Sequence, residues 1–447
     1  MHPYLRLYKA VPLMLVCFLT ACSDDTKDEL PVGSYDASYN LYIVTDSVEP
    51  NYNTDFSAPF NATEKRINSR MNDFAVNSLI DYSSDNSENL MISPVSLSIV
   101  YSMMSDYVGD KDNNAYKENL GINDFMNGDI RSYCCKLINQ SNNLGLQNKA
   151  EYGISNSLWI QEQTPVYRSF VESSKSYKVN IKGINLNQQN SLERINQAIQ
   201  GQTYSDQTGI SKIYDKNATS LVTSTFKFKN EWKEQFGIDS SHKEAFANVD
   251  GTEYKCDFLY SQRNTNYASF QNFDMVEIPY KEGQFSMYIV LPHDADKLNQ
   301  ALSELQRNGL ENCMNKMTRN NVNILLPKFK YSVSTSMANH NQKAMAVVKK
   351  MYQTNLPKVS PQGFMVGDMF QSSTLEITES GVMTQTEVVS DFHGGAQPGF
   401  LGATPGGSDK PSSTVIDFVV NHPFVLFIRN TEQDVISFAC CIKSLKD

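Results

Sequence analysis

The chain has 447 residues, 40% of them hydrophobic and 20% charged, enough to bury a sizeable core in one large domain or two to three smaller ones. Acidic side chains outnumber basic ones, 49 to 39, and no run of Lys and Arg stands out. No nucleic-acid partner is expected, because phosphate binding needs concentrated positive charge.

The N-terminus reads as a targeting segment. Arg6 and Lys9 supply a basic start, and Ala10 to Leu19 supply an apolar run too short to span a bilayer as a mature helix. The run closes on "LTAC", which resembles the lipobox of bacterial lipoproteins; a plain signal peptide with a chance Cys is the alternative. The resemblance implies a signal peptide over residues 1–21, acylation (palmitate) at Cys22 and a lipid anchor as the sole membrane attachment. "SDD", Ser23 to Asp25, is similar to the acidic signal that sends some lipoproteins to the surface of Gram-negative cells. An outer-membrane, surface-exposed or extracellular location is thus expected, with a periplasmic orientation as the alternative. Residues 22–61 are polar and carry Pro31, Pro50 and Pro59, the composition of a tether, within which "LYIVTDSV" could form a lone strand.

From Glu64, Ile67, Met71, Phe74, Ala75 and Leu79 fall on one helical stripe. "NLMISPVSLSIVYSMM" predicts a short apolar strand, then a helix that Ser93 caps and Pro94 opens, since the first helical N–H is unpaired anyway. The second half is richer in strands. Phe285 to Pro292 is apolar on both faces and predicts a central strand. Further strands are expected at Val322 to Val333, Phe418 to Asn430 and Val435 to Ile442, the last two joined by a "TEQD" hairpin. The fold class expected is α+β with one extended core.

Motifs for chemistry are missing. The six His residues (2, 242, 293, 340, 393 and 422) show no metal-ligand spacing, and "GATPGGSDK" lacks the ending of a phosphate loop. There is no G-x-S-x-G elbow, and the carboxylates Glu376 and Glu379 read as surface groups. Cys134, Cys135, Cys256, Cys313, Cys440 and Cys441 are too sparse for a disulfide scaffold and lack C-x-x-C spacing, so they read as buried or free thiols. No enzyme activity, cofactor or metal is expected.

Seven words occur in one order: "NLMISPVSLS", "NSLWIQ", "FKFKNEWKEQF", "VEIPY", "LPKFK", "LEITESG" and "NHPFVLFI". Together they resemble the serpin family over about residues 62 to 446. The resemblance implies helices packed around a large mixed β-sheet over 62–447, with an exposed reactive loop at about 379–416. It also implies a monomer that acts as a suicide inhibitor of serine, or cysteine, endopeptidases. A target protease cleaves the loop, and the loop enters the sheet as a new strand carrying the acylated protease with it. A non-inhibitory serpin serving as a cell-surface binding module is the alternative.

The hinge begins at "ITESG", where the family usually has Glu-Glu-Gly; here Glu379 and Gly381 flank Ser380. In the family register Val382, Thr384, Thr386 and Val388 point into the body, while Met383, Gln385, Glu387 and Val389 face outward, so the one charge stays outside. The run Thr-Gln-Thr-Glu departs from the small residues common in inhibitory hinges. Where the sheet opens, Ser93 and Ser96 match family hydroxyls, while Ser224 and Gln371 stand where an Asn and a His are usual. Trp232 matches a Trp near the top of the sheet, and Ala439 replaces a Gly of the last strand.

Counting from Glu379 puts the reactive bond at Gly395–Ala396; counting back from Pro423 puts it near Asp409 to Ser412. The hinge count is preferred, because the inserted length fixes how far a protease is pulled. A small residue there suits elastase-like or subtilisin-like partners, and Phe400–Leu401 would suit a chymotrypsin-like or papain-like one. Trypsin-like partners are disfavoured: Lys410 is the only basic residue from Gly381 to Ile428.

Overall fold

The structure is a computed structural model that describes residues 33–36, 41–44, 47–48, 59–84, 87–146, 151–200 except 187 and 189, 220–336, 356–391 except 363 and 365–368, and 415–446. The chain begins with β1 (Gly33–Asp36), β2 (Leu41–Val44) and β3 (Ser47–Val48), followed by α1 (Ala62–Ser84), β4 (Leu90–Ile92), α2 (Pro94–Tyr107), α3 (Asp110–Asn119) and α4 (Asn127–Leu146). Strands and helices then alternate through β5 (Glu151–Gln161), β6 (Pro165–Tyr167), α5 (Arg168–Ser176), β7 (Val179–Ile184), α6 (Ser191–Gln200) and β8 (Ser220–Glu231). Strands dominate the rest: β9 (Gly237–Ala247), β10 (Glu253–Ser269), β11 (Phe273–Pro279), β12 (Phe285–Pro292), the helices α7 (Leu298–Asn308) and α8 (Leu310–Met314), then β13 (Thr318–Pro327) and β14 (Phe329–Ser336). The C-terminal strands are β15 (Met369–Ile377), β16 (Gly381–Asp391), β17 (Ile416–Val419), β18 (Phe424–Asn430) and β19 (Val435–Ile442).

The helix starts are built by local side-chain chemistry. At α1, Asn61 Oδ1 accepts from the Glu64 N–H at 2.9 Å, and Glu64 Oε2 accepts from the Asn61 N–H at 2.7 Å, a reciprocal cap that satisfies two orphan donors. The expected stripe is buried, with Ile67, Met71, Ala75 and Leu79 fully enclosed. At α2, Ser93 caps through its hydroxyl and Pro94 opens the first turn.

Two large sheets enclose the core. One has the order β17-β13-β10-β11-β12-β18-β19-β4, with β9 paired to β10. The α1 and α2 helices pack on its β19. As expected for a central strand, every residue of β12 is buried. The predicted run from Phe418 to Asn430 divides at Pro423, where the missing N–H interrupts a ladder, into β17 and β18.

The other sheet has the order β14-β15-β16-β8-β5-β7-β3. It is mixed: β16 is antiparallel to both β15 and β8, while β5 and β7 are parallel. Part of the segment read as a polar tether joins the body. Instead of one lone strand, "LYIVTDSV" supplies β2, which pairs with β6, and β3, which extends the sheet beyond β7. Tyr42 and Val44 alternate with half-buried neighbours and are themselves buried, which gives the docking a hydrophobic basis.

Candidate functional site

The hinge begins with a tight turn. The Thr378 N–H donates to the Gly381 carbonyl at 2.9 Å, and Thr378 Oγ1 donates to the same oxygen at 3.0 Å. Trp232 holds the turn from the adjacent strand end. Its backbone N–H donates to the Ser380 carbonyl, and its Nε1–H donates to the Thr378 carbonyl, both at 2.9 Å. The indole stacks on Tyr280 with ring centroids 4.9 Å apart. Glu379 pairs with Lys328 at 2.5 Å, and that bond holds its carboxyl below the usual carboxylate range. An open cleft of about 440 Å³ lies beside the turn, lined in part by Lys229, Asn230, Glu231, Gly381 and Met383.

Gly381 has a steric reason to be glycine. A Cβ there would stand 2.1 Å from the Asn230 carbonyl oxygen and 2.9 Å from its carbon, a collision with backbone that cannot move aside cheaply. That approach exists because β16 lies against β8.

The hinge is a strand of the sheet. From Gly381 to Asp391 it runs in continuous register with β8, and from Val382 to Ser390 with β15. The loop expected to be exposed is therefore inserted over Gly381–Asp391. Val382 and Thr384 are buried, and Thr384 Oγ1 donates to the Thr374 carbonyl at 2.9 Å. Met383 is half-buried, but Gln385, expected on an open outer face, is fully enclosed too. The outer side of the strand is thus covered at Gln385, so the alternation separates two buried faces there rather than a wet one from a dry one. Thr386 and Val388 share the strand parity of Val382 and Thr384 through their backbone register, and their side chains lie outside the described residues.

Lower in the sheet, Val388 pairs with Ser224 of β8 and Gln371 of β15, and Ser224 pairs onward with Asn156 of β5. Ser224 Oγ donates to Asn156 Oδ1 at 2.6 Å in a fully buried site. Beneath, α2 packs on both β8 and β16. Ser93 Oγ sits 3.3 Å from Ser96 Oγ and 3.2 Å from the Ser437 carbonyl, and Ser437 Oγ lies 3.0 Å from the Tyr152 hydroxyl. The hydroxyls are satisfied by short local links, which lets them remain buried without charge. Ala439 lies buried in β19, opposite Ile92.

No local pattern in the sequence marks Lys328, Asn230, Thr378 or Asn156 for a role at this site. Lys328 lies inside "LPKFK", Asn230 inside "FKFKNEWKEQF" and Asn156 inside "NSLWIQ", so the words were visible but their mutual contacts were not. Gly395, Ala396 and Cys22 lie outside the described residues, as do Phe400–Leu401 and Asp409 to Ser412. Cys134, Cys256, Cys313, Cys440 and Cys441 are buried free thiols and Cys135 is half-buried. Burial pushes Cys256 and Cys313 up to about 11, leaving them unreactive at neutral pH. Among the described residues no group of acidic, His and Cys side chains could hold a metal, and no helix is long and apolar enough to cross a membrane.

The family model described as Serpin (serine protease inhibitor) matches residues 69–443. An uncharacterized serpin-like protein of Methanosarcina mazei is 28% identical over 363 residues, covering 78% of this chain and 80% of its own. Iripin-3 of Ixodes ricinus is 25% identical over 381 residues, covering 82% and 92%. Among solved structures, cleaved Serpin 42Da superposes with a TM-score of 0.73 at 17% identity over 87% of this chain and 100% of that one. The thermophilic serpin tengpin in the latent state superposes with a TM-score of 0.70 at 20% identity over 87% and 100%. At such identities these two likenesses establish the fold.

Proposed function

This chain belongs to the serpin family, whose members are in general protease inhibitors, and we propose that it is a single-use inhibitor of serine endopeptidases, cysteine endopeptidases being the wider case. The observation that carries this reading is β16 itself, seated in register between β15 and β8. A loop segment that fits this slot has somewhere to go when a protease cuts beyond it. The protease's nucleophile attacks the carbonyl of the reactive residue, the peptide C–N bond breaks, and the amine leaves with a proton. The loop-side acyl group stays bonded to the protease while the strand above it enters the sheet. Each backbone hydrogen bond so gained contributes ~0.5–1.5 kcal/mol net, with eleven consecutive residues in register along β8 and nine of them also along β15.

The hinge count supports Gly395–Ala396 as the reactive bond, and small residues there favour elastase-like or subtilisin-like targets. The lipobox-like "LTAC" supports anchoring through acylated Cys22, with the domain displayed at the outer membrane surface. Mixing the soluble domain with elastase and with subtilisin should give a covalent complex that survives SDS. Loop cleavage without such a complex, across a broad protease panel, would overturn the inhibitory reading.

A binding module without inhibitory action is the second reading, favoured by the polar run Thr384-Gln385-Thr386-Glu387. Such a protein would be cut in its loop as an ordinary substrate and would release the protease intact.

A further inference from the structure

Arg263 lies on β10, opposite Val322 of β13, and is 4% exposed. Among the described residues it forms no ion pair. A buried cation without a counter-charge is costly, so its other contacts have to compensate. One is on its own strand, where Nε donates to Ser261 Oγ at 3.0 Å. The others reach the segment that follows β8. Nη2 donates to the Glu234 carbonyl at 2.9 Å, and the guanidinium carbon sits 4.3 Å from the centroid of the Phe236 ring.

Residues 233–236 belong to no strand, so no ladder fixes their shape. Yet this segment, with Trp232, holds three successive carbonyls of the hinge turn. The Phe236 N–H donates to the Glu379 carbonyl at 3.1 Å, between the Thr378 and Ser380 carbonyls that Trp232 holds. The Phe236 ring also meets the Trp232 indole edge-on, with centroids 5.5 Å apart. Arg263, Phe236, Trp232 and Tyr280 therefore make one continuous stack that ends at the turn. Arginine suits its place in that stack. Its planar fork bonds in two directions while its face covers a ring, which neither Lys nor Met can do.

We propose that Arg263 is a positioning residue for insertion of the hinge. From the nine-stranded sheet it fixes Glu234 and Phe236, and through them the turn from which β16 enters the seven-stranded sheet. This role rests on the inhibitory reading. Once the acyl bond has formed, strand entry competes with hydrolysis: water attacks the acyl carbonyl, the bond to the protease breaks, and the protease regains its proton. A turn held less firmly delays entry, so more of the inhibitor leaves cleaved.

Hydrogen exchange on the loop-cleaved full chain tests the positioning. In Arg263→Met the amides of Trp232 and Phe236 should exchange about tenfold faster than in the parent, while those of Ile324 and Leu326 on the β10–β13 ladder keep their rates. Arg263→Lys, which keeps the charge but loses the fork, should loosen the same two amides and guards against a Met variant that fails to fold. With elastase or subtilisin, both variants should be cut as fast as the parent, with the ratio of complex to cleaved inhibitor lowered at least about threefold. Three results overturn the proposal. The amides of Trp232 and Phe236 are unprotected in the parent or equally protected in both variants; the ladder amides loosen by the same factor; or the turn loosens locally while the ratio stays as in a parent that does form complex. A parent that forms no complex with any protease overturns the inhibitory reading instead, and the exchange rates still decide whether Arg263 positions the turn.

Discussion

Ser224 and Gln371 are both register partners of Val388, one on β8 and the other on β15, so one residue of β16 holds apart two strands that would otherwise be neighbours. Because β16 is antiparallel to both, β8 and β15 run parallel to each other. Withdrawing β16 and closing the gap without a shift in register would set Ser224 beside Gln371.

A cross-link at this pair should report and control the state of the sheet. Strands stand about 4.8 Å apart, so across β16 the two Cα atoms are separated by roughly 9.6 Å, too far for a disulfide. In a closed sheet they fall within bonding range. The double variant Ser224→Cys, Gln371→Cys should therefore oxidise only when β16 is out. Once oxidised it should form no SDS-stable complex, and reduction should restore the complex. Oxidation of the inserted form, detected by mass spectrometry, would contradict the register.

Gly381→Ala should weaken the inserted form selectively. Its Cβ would meet the Asn230 carbonyl oxygen at 2.1 Å, and relieving that contact requires moving one of two paired strands. A loss of at least ~2 kcal/mol is expected in that form, from strain of the overpacking kind. Denaturant melts of loop-cleaved protein should show it, while the loop-exposed form should melt unchanged.

Charge on the two faces of the hinge should act differently. Thr384 is fully buried and donates to the Thr374 carbonyl, whereas Met383 is half-buried. Thr384→Arg buries an unpaired charge, which costs several kcal/mol, and should convert complex formation into plain cleavage. Met383→Arg can reach solvent along its stem and should change the partition between complex and cleaved inhibitor less than threefold.

The ion pair at the turn gives a pH dependence of defined sign. Lys328 holds the Glu379 carboxyl below its ordinary range, so the stabilisation is present above the ordinary carboxylate pKa and disappears as pH falls through the depressed value. Both side chains are partly exposed, which limits the effect to less than ~1 kcal/mol. Glu379→Gln should lower the melting temperature at pH 7 and match the parent in strong acid. An equal difference at both pH values would mean that the carboxylate charge is not responsible.

Trp232 offers a local optical probe. The chain has two Trp residues, so Trp159→Phe leaves Trp232 alone to report the turn. Its emission should shift when the loop is cut in a loop-exposed sample, because Nε1 bonds the Thr378 carbonyl with β16 seated. A spectrum that is constant while the melting temperature rises would separate the turn from insertion.

Much of this region was legible in the residues. The strand character of Val382 to Val389 and the cap at Ser93 follow from local periodicity and backbone geometry. The enclosure of Gln385 was not legible, because strand alternation assigns a residue to a face without saying whether that face is covered. Nor was the docking of β2 on β6 and β3 on β7, since a short apolar stretch in a polar segment does not name the edge that will receive it.

By itself the sequence determined the α+β class, because helix stripes and strand alternation are written in near neighbours, and seven ordered words carried the resemblance to the family. Whether that hinge stands outside the sheet or within it was decided by tertiary structure. The choice depends on whether β8 and β15 part to expose their edges. Gly381 belongs to both levels. Its identity is fixed in the sequence, but the backbone it must admit arrives only when β16 closes against Asn230.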